Sequence, residues 1–176
     1  MRYLFLPLIL LVVSCSPQRY YIVRHGEKAI VTKDSLGFTP ANPPLSEPGK
    51  VRAFVLRDEL KKKNIRNIFS TNYYRTVSTA TPLSVALNNM TMQYYSPSKD
   101  SLDAFIERLQ AVNKGSVLVV GHSNTVDDIV NKLTGEKNVT GDLKDSEYDN
   151  MYIITRRKGK MEFSQKKYGY PSNPEK

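Results

Sequence analysis

The chain has 176 residues, of which 26 are lysine or arginine and 17 are aspartate or glutamate, so its formal net charge is +9 at pH 7. This length suits one domain that buries a substantial core, and the charge favours anionic partners such as lipid head groups or anionic substrates. The single cysteine excludes an intramolecular disulfide, and the lack of internal repeats excludes a repeat architecture.

The first residues are typical of a secretory signal. Met1 and Arg2 precede an apolar run over residues 3–13, which is shorter than the roughly 20 residues of a membrane-spanning helix. The letters LVVSC that end this segment resemble a bacterial lipobox, in which the cysteine is diacylated and becomes the first mature residue. A lone exported thiol would be a liability in an oxidising compartment. Lipidation of Cys15 is therefore preferred over an ordinary cleaved signal with an incidental cysteine.

These features define the expected organisation of the chain. We predict a lipoprotein signal peptide over residues 1–14, a lipidated tether over 15–19 and one folded domain over 20–176. The lipid on Cys15 would anchor the protein to a membrane of the bacterial cell envelope, outside the cytoplasm. The four residues after Cys15 span at most about 14 Å, so the folded body is expected to stay close to the membrane surface.

Two clusters of basic residues lie within the folded part. We interpret both as solvated faces, because neither is accompanied by a nucleic-acid-binding motif, and no nucleic-acid partner is predicted. The clusters are Lys61, Lys62 and Lys63 with Arg66, and Arg156, Arg157 and Lys158 with Lys160, Lys166 and Lys167.

In chain order, the first predicted elements are a strand, a loop and a helix. Residues 20–23 form an apolar strand, and residues 30–45 have no periodicity, which is typical of a functional or disordered loop. A serine at position 46 can cap the next helix. The apolar face of that helix is expected to contain Val51, Phe54 and Val55.

The middle of the chain predicts two strands on either side of a helix. The strands are IRNIFS at residues 65–70 and TMQYY at 91–95. The helix between them is expected over residues 72–87, with a kink at Pro82, whose ring removes one main-chain hydrogen bond.

The last third has the clearest periodicity. Apolar residues at helical spacing predict a helix from Leu102 to Leu109, with Gly115 near its end. The run VLVV at 117–120 is apolar at every position, as in a central parallel strand covered on both faces. A second helix is expected to start at Ser123 and to end at Gly135.

This alternation of short strands and amphipathic helices predicts the fold class. We expect an α/β protein with a single domain and a mainly parallel central sheet that carries helices on both faces. In such sheets, ligands gather at the carboxyl ends of the strands.

Both histidines of the chain lie directly after predicted strands. His25 follows the first strand and His122 follows the VLVV strand, so both are expected at the same edge of the sheet. Arg24 precedes His25, and Arg75 lies shortly after the second strand. Ser123 would supply a helix N-terminus, which attracts anions. This set predicts an anion site that suits a phosphoryl group.

Four sequence blocks in this order resemble the histidine phosphatase superfamily, also called the phosphoglycerate mutase-like fold. The blocks are VRHGEK, PPLSEPGKVRA, IFSTNYYRTVSTATPL and VLVVGHSNTV. The resemblance implies that His25 attacks phosphorus and becomes a phosphohistidine, while Arg24, Arg75 and His122 hold the phosphoryl oxygens together with Ser123. It implies no metal and no cofactor. Glu27 would either orient the nucleophile and the entrance or be a solvated carboxylate.

The chain departs from phosphoglycerate mutases because it lacks their insertion with a glutamate as general acid. Asp100, Asp103 and Glu147 are the remaining candidates for a proton donor, and each is also compatible with a purely structural role. Hydrolysis of a small phosphorylated substrate or a phosphoprotein is therefore preferred over a mutase reaction. The alternatives are an anion-binding lipoprotein that has lost turnover, and a scaffold component of an envelope complex.

Overall fold

The computed structural model describes residues 17–33 and 37–172. The predicted signal peptide and Cys15 lie outside the described residues, so lipidation stays a prediction. The elements are β1 (Gln18–Arg24), α1 (Glu47–Leu60), β2 (Ile65–Ser70), α2 (Tyr74–Ala86), β3 (Met92–Tyr94), α3 (Leu102–Ala111), β4 (Ser116–Gly121), α4 (Val126–Thr134), β5 (Asn150–Arg157) and β6 (Lys160–Lys167).

The six strands form one sheet in the order β3-β2-β4-β1-β5-β6. The first four in this order are mutually parallel, and β5 and β6 extend the sheet as antiparallel strands on the other side of β1. The predicted α/β class with a mainly parallel sheet is confirmed. The strand β4 is buried along its whole length, as its apolar sequence predicts.

Helices cover both faces of the sheet and create two hydrophobic cores. On one face, α1 and α2 bury Leu56 and Leu83 against Tyr21 and Val120. On the other face, α3 and α4 pack residues such as Leu109 against the opposite side chains of the same strands. This layering explains why residues 20–23 of β1 and 117–120 of β4 are all apolar, since each of these side chains enters one core or the other.

The predicted apolar face of α1 is wrong for Val51 and Phe54, whereas Val55 is partly buried and packs against the core. Val51 and Phe54 are 45% and 50% exposed, and the helix instead buries Arg52, Ala53 and Leu56, with Leu60 at its end. The buried face includes a charged residue because Arg52 has an acidic partner inside the protein. A prediction that counts only apolar residues therefore places the buried face of this helix about one residue away from its real position.

Several element boundaries differ from the predicted ones. The helix α2 begins at Tyr74 rather than residue 72, and Pro82 lies inside it. The helix α4 begins at Val126, because the residues after His122 form a turn first. Gly135 ends α4 in a left-handed conformation, as predicted, whereas Gly115 lies in the turn before β4 and not at the end of α3.

Within residues 17–33 and 37–172, no helix combines the length and the apolar character that crossing a bilayer would require.

Candidate active site

A cleft of about 470 Å³ opens at the carboxyl ends of β1 and β4. The two strands are neighbours, and their register pairs Arg24 with Gly121. The residues that follow, His25 and His122, therefore leave the sheet side by side, and their ring centroids are 5.5 Å apart. The main-chain amide of His25 donates to the carbonyl of Gly121 over 3.0 Å, which fixes the two strand ends together.

The ring of His25 is held with one nitrogen towards the backbone and the other towards the cleft. Its Nδ1 lies 2.7 Å from the carbonyl oxygen of Gly26, so Nδ1 carries the proton and donates it. Burial lowers the pKa of His25 to about 2, and the nearby His122, Arg24 and Arg75 act in the same direction. The ring is therefore neutral, with the lone pair of Nε2 free to act as a nucleophile.

The second histidine is oriented by a chain of buried hydroxyl groups. His122 Nε2 lies 2.8 Å from Thr71 Oγ1, which lies 2.9 Å from Thr76 Oγ1, and Thr76 donates to the carbonyls of Thr71 and Tyr73. Because Arg75 Nη2 can only donate to His122 Nδ1, the proton of the ring is on Nε2. Burial, followed by the charges of Arg75 and Arg24, lowers the pKa of His122 to about 4.

Arg75 lies between the two histidines. Its Nε donates to His25 Nε2 over 3.2 Å, and its Nη2 lies 3.3 Å from His122 Nδ1. A third bond reaches the carbonyl of Ala41 in the loop that precedes α1, so this loop forms part of the rim of the cleft. The guanidinium also lies 4.6 Å from the ring centroid of Tyr73. An anion in the cleft would meet Arg75 first and the two rings behind it.

Arg24 lines the cleft but is largely engaged by the protein. Its Nη1 donates to the carbonyl of Lys144 over 2.7 Å and more weakly to those of Asp145 and Glu147. Its Nη2 pairs with Asp145 Oδ1 at 3.4 Å, and its guanidinium stacks 4.0 Å from the ring centroid of Tyr148. Its buried Nε has no partner among the described residues. Arg24 therefore has Nε and one N–H of Nη2 left for a ligand.

Ser123 also lines the cleft, together with Asn124. These residues form the turn between His122 and α4, and their main-chain amides donate to no acceptor within the described parts of the chain. The two N–H groups thus stand at the mouth of the cleft, where an oxyanion could accept from them.

Glu27 is not a solvated carboxylate, which was one of the two roles expected from the sequence. Its carboxylate receives bonds from Arg52 Nε and Nη2, the shortest of them 2.6 Å. Arg52 is 4% exposed and also donates to the carbonyls of Tyr168 and Tyr170. The pair therefore ties the loop after β1 to α1 and to the C-terminal segment. We call this loop, which contains His25 and Glu27, the nucleophile loop.

Two glycines allow that loop to approach α1 closely. A Cβ atom on Gly49 would lie within 2.2 Å of the carbonyl oxygen of Glu27, and one on Gly26 would lie 2.7 Å from the carbonyl oxygen of Gly49. The amide of Gly26 also donates to Thr79 Oγ1 on α2. Larger residues at either glycine would push His25 away from the cleft.

None of the predicted proton donors lines the cleft. Asp103 pairs with Lys132 at the surface, Glu147 accepts from the amide of Lys144, and Asp100 lies in a short turn before α3. The carboxylate that does line the cleft is Asp145, whose side chain is 81% exposed. No pattern in the sequence pointed to Asp145, because it lies in an aperiodic loop far from both histidines.

The structure brings together Arg24, His25, Arg75, His122 and Ser123, as the sequence predicts for a single site. Thr71 and Tyr148 were not predicted as part of it. Thr71 directly follows β2 at the same edge of the sheet, which is a signal that its position alone could have supplied. Among the described residues, no three histidine, cysteine, aspartate or glutamate side chains gather as a metal site would require.

Comparison with known proteins points to one family. The model of the histidine phosphatase superfamily, branch 1, matches residues 20–96, a range that contains Arg24, His25 and Arg75. Over this range the chain is similar to the histidine phosphatase superfamily. No curated protein is significantly similar to it in sequence. The match supports phosphatase chemistry in general terms.

Solved structures share the fold of this chain at low sequence identity. The protein histidine phosphatase SixA complexed with tungstate is 22% identical, with a TM-score of 0.64 over 85% of this chain and 97% of that one. SixA from Agrobacterium tumefaciens is 17% identical, with a TM-score of 0.61 over 88% and 99%. A phosphoglycerate mutase from Bacillus anthracis is 16% identical, with a TM-score of 0.56 over 84% and 92%.

Proposed function

We propose that the protein is a phosphatase that hydrolyses phosphomonoesters or phosphohistidine through a covalent intermediate on His25. The observation that carries this proposal is the unprotonated Nε2 of His25, which faces a cationic cleft beside Arg75 and His122. A structural neighbour, SixA, was solved with tungstate, a tetrahedral oxyanion that resembles phosphate. The substrate class is therefore proposed to be a small phosphorylated molecule or a phosphoprotein.

The first step forms the phosphohistidine. A phosphoryl group enters, and Arg75 transfers its hydrogen bond from His25 Nε2 to the phosphoryl oxygens, which frees the lone pair. Nε2 then attacks phosphorus, the bond from phosphorus to the ester oxygen breaks, and the leaving oxygen takes a proton from water. Arg75, the free N–H groups of Arg24 and the amides of the turn at Ser123 stabilise the charge on the equatorial oxygens.

The second step is hydrolysis of the phosphohistidine. Water attacks phosphorus, the bond from phosphorus to Nε2 breaks, and inorganic phosphate leaves while its proton passes to solvent. The negative charge of the bound phosphoryl group favours protonation of His122 at Nδ1, since the opposite charge stabilises the imidazolium. In that state His122 donates from Nδ1 to an oxygen and from Nε2 to Thr71. No step needs a metal ion or a cofactor.

The proposal is tested by trapping the intermediate. The purified protein is mixed with an aryl phosphate labelled in the phosphoryl group and quenched in alkali, where a phosphohistidine survives. We expect label on the protein that acid removes, in an amount that approaches one phosphate per chain. Turnover without label on wild-type protein would contradict the covalent mechanism.

An anion-binding protein without turnover is the second candidate. It is favoured by the lack of a dedicated proton donor, since the carboxylate found in the cleft is Asp145, which pairs with Arg24. Such a protein would be thermally stabilised by vanadate but would release no phosphate from an activated aryl ester, whose leaving group needs no proton. A scaffold protein would show neither effect.

The pH dependence of the phosphatase follows from the two buried rings. Because burial lowers the pKa of His25 to about 2 and that of His122 to about 4, neither ring of the free enzyme takes up a proton near pH 6.5. We expect kcat/KM, corrected for the substrate's own ionisation near pH 6, to stay level from pH 7 to about pH 5. An acid limb centred near pH 6.5 would contradict this expectation.

Thr71 is expected to act as a positioning residue for His122. Its replacement by valine leaves the buried Nε2 proton without an acceptor, at a cost of about 1–3 kcal/mol. We expect kcat/KM to fall roughly 10- to 100-fold in T71V, mainly through kcat. The serine variant T71S keeps the hydroxyl and should retain most activity. Equal losses in both variants would show that the methyl group, and not the hydrogen bond, matters.

We also propose that Cys15 carries a lipid that anchors the protein in the bacterial envelope. Support comes from the LVVSC letters at the end of the apolar run. Cells that express the full chain and grow with radiolabelled palmitate should label it. The label should vanish in C15A and persist in S14A, the neighbouring control; label that persists in C15A would refute the assignment.

A further inference from the structure

The edge of the sheet opposite the cleft carries a continuous band of exposed cations. It is formed by the end of α1, the turns before β2 and β4, and the turn between β5 and β6. We call this band the basic edge; its residues are Lys61, Lys62, Lys63, Arg66, Lys114, Arg157, Lys158 and Lys160.

The sheet topology brings these residues together from distant parts of the chain. Ile65 is beside Ser116, and Arg157 is beside Lys160, at the end of the sheet where Gln18 begins β1. Arg66 packs so closely over Gly115 that a Cβ atom there would lie 2.1 Å from its Cγ. The five strands from β2 to β6 in this order make the edge about 19 Å wide. The first basic cluster of the sequence and residues 157, 158 and 160 of the second therefore form one surface, whereas Lys166 and Lys167 lie at the other end of β6.

The cations of the basic edge are mostly unpaired. Within the described ranges, Lys61 forms an ion pair with Asp58, and the other members of the basic edge have no acidic partner. All of them are exposed. Unpaired cations side by side repel one another. Contact with an anionic surface relieves this repulsion and is therefore favoured over contact with a neutral protein face.

We propose that the basic edge docks on a membrane surface rich in anionic lipid head groups, so that the cleft faces away from the membrane. This inference goes beyond the proposed phosphatase function and does not depend on it. The seven residues of β1 separate the two ends of the sheet by about 23 Å. Docking at the basic edge therefore leaves His25 and the cleft open to substrates in solution.

Two further observations favour a membrane over a nucleic acid. The chain enters the fold at this edge, since Gln18 begins β1 there, three residues after Cys15. The proposed lipid would thus lie next to the cations. In addition, the large hydrophobic side chains that are exposed in the described part of the chain, Tyr94 and Tyr170 among them, belong to other surfaces, so the basic edge offers no aromatic platform on which bases could stack.

The test compares vesicles of phosphatidylcholine alone with vesicles that contain one-third phosphatidylglycerol. The full chain is sedimented with each at low salt. The apolar run at residues 3–13 contributes equally to the binding of both kinds of vesicle. The ratio of the two partition coefficients therefore isolates the charge dependence. The variant K62E/K114E/K160E removes one cation from each part of the basic edge. Its control, K50E/K99E/K144E, makes the same charge change with exposed lysines at the cleft end.

We expect the wild-type ratio to be well above one and to collapse at about 1 M salt, where screening is nearly complete. The basic-edge variant should lower the ratio at least about a hundredfold, because each cation near an anionic membrane contributes roughly a factor of five and the three new carboxylates add repulsion. The control should change it less than about threefold, and hydrolysis of a soluble aryl phosphate should be unchanged in the basic-edge variant, since none of its three residues lines the cleft. Equal loss of binding in both variants, or tighter binding of wild type to duplex DNA than to anionic vesicles, would overturn the proposal.

Discussion

Replacement of His25 by alanine is expected to lower phosphatase activity by roughly 10⁴-fold or more. The reason is that the imidazole supplies the bond to phosphorus, and His122, the other histidine that lines the cleft, has the separate role of binding the phosphoryl oxygens. Water in the vacated position would be a far weaker nucleophile than His25 Nε2. The lone pair of Nε2 is oriented by the hydrogen bond from Nδ1 to the carbonyl of Gly26. Initial rates on an activated aryl phosphate measure the effect.

The expected loss in H25A has a chemical control. Truncation at position 25 leaves a space at the base of the cleft, so added imidazole should enter it and restore part of the activity in a concentration-dependent way. The control variant N124A changes an exposed residue at the rim and should stay within about tenfold of wild type. Activity in H25A close to wild type would exclude His25 as the nucleophile, whereas vanadate binding without activity in the wild type would favour the anion-binding alternative.

The edge of the sheet that carries the site could be predicted, because it depends only weakly on which strands are neighbours. His25 and His122 each follow an apolar strand, and in a parallel sheet every such residue points to the same edge. That β1 and β4 are direct neighbours is a result of the structure, since nothing local in either strand specifies its partner. The adjacency brings the rings from the same edge to within 5.5 Å.

The role of Arg24 illustrates what local patterns cannot give. Its guanidinium binds carbonyl groups of residues 144–147, which arrive about 120 positions later in the chain and have no periodicity. The sequence predicted an arginine that holds phosphoryl oxygens, and the structure shows that most of its N–H groups also bind the protein itself. A similar long-range contact explains the error on α1, because Arg52 is buried by an acid that lies 25 positions before it. A charged residue that is buried against a partner far away in the chain is missed by a prediction based on hydrophobicity.

The pair of Glu27 and Arg52 is expected to dominate the stability of the nucleophile loop. Removal of the arginine in R52A leaves a carboxylate that is 22% exposed without its partner and also frees the carbonyls of Tyr168 and Tyr170. Breaking a buried pair costs about 3–5 kcal/mol, and the partial exposure of Glu27 reduces this to about 2–4 kcal/mol of unfolding free energy. Urea denaturation of the wild type and R52A measures the difference.

The same helix offers the matched control. Arg57 pairs with Asp58 at the surface, so R57A removes an arginine and an ion pair without opening the interior, and no measurable change in stability is expected. The double variant E27L/R52L removes both buried charges and should recover part of the loss, though not all, because the two C-terminal carbonyls still lack their donor. If R52A were no less stable than R57A, the buried pair would not be what holds the loop after β1. The positioning of His25 would then have to rest on its bond to Gly121 and on the contact between Gly26 and Gly49.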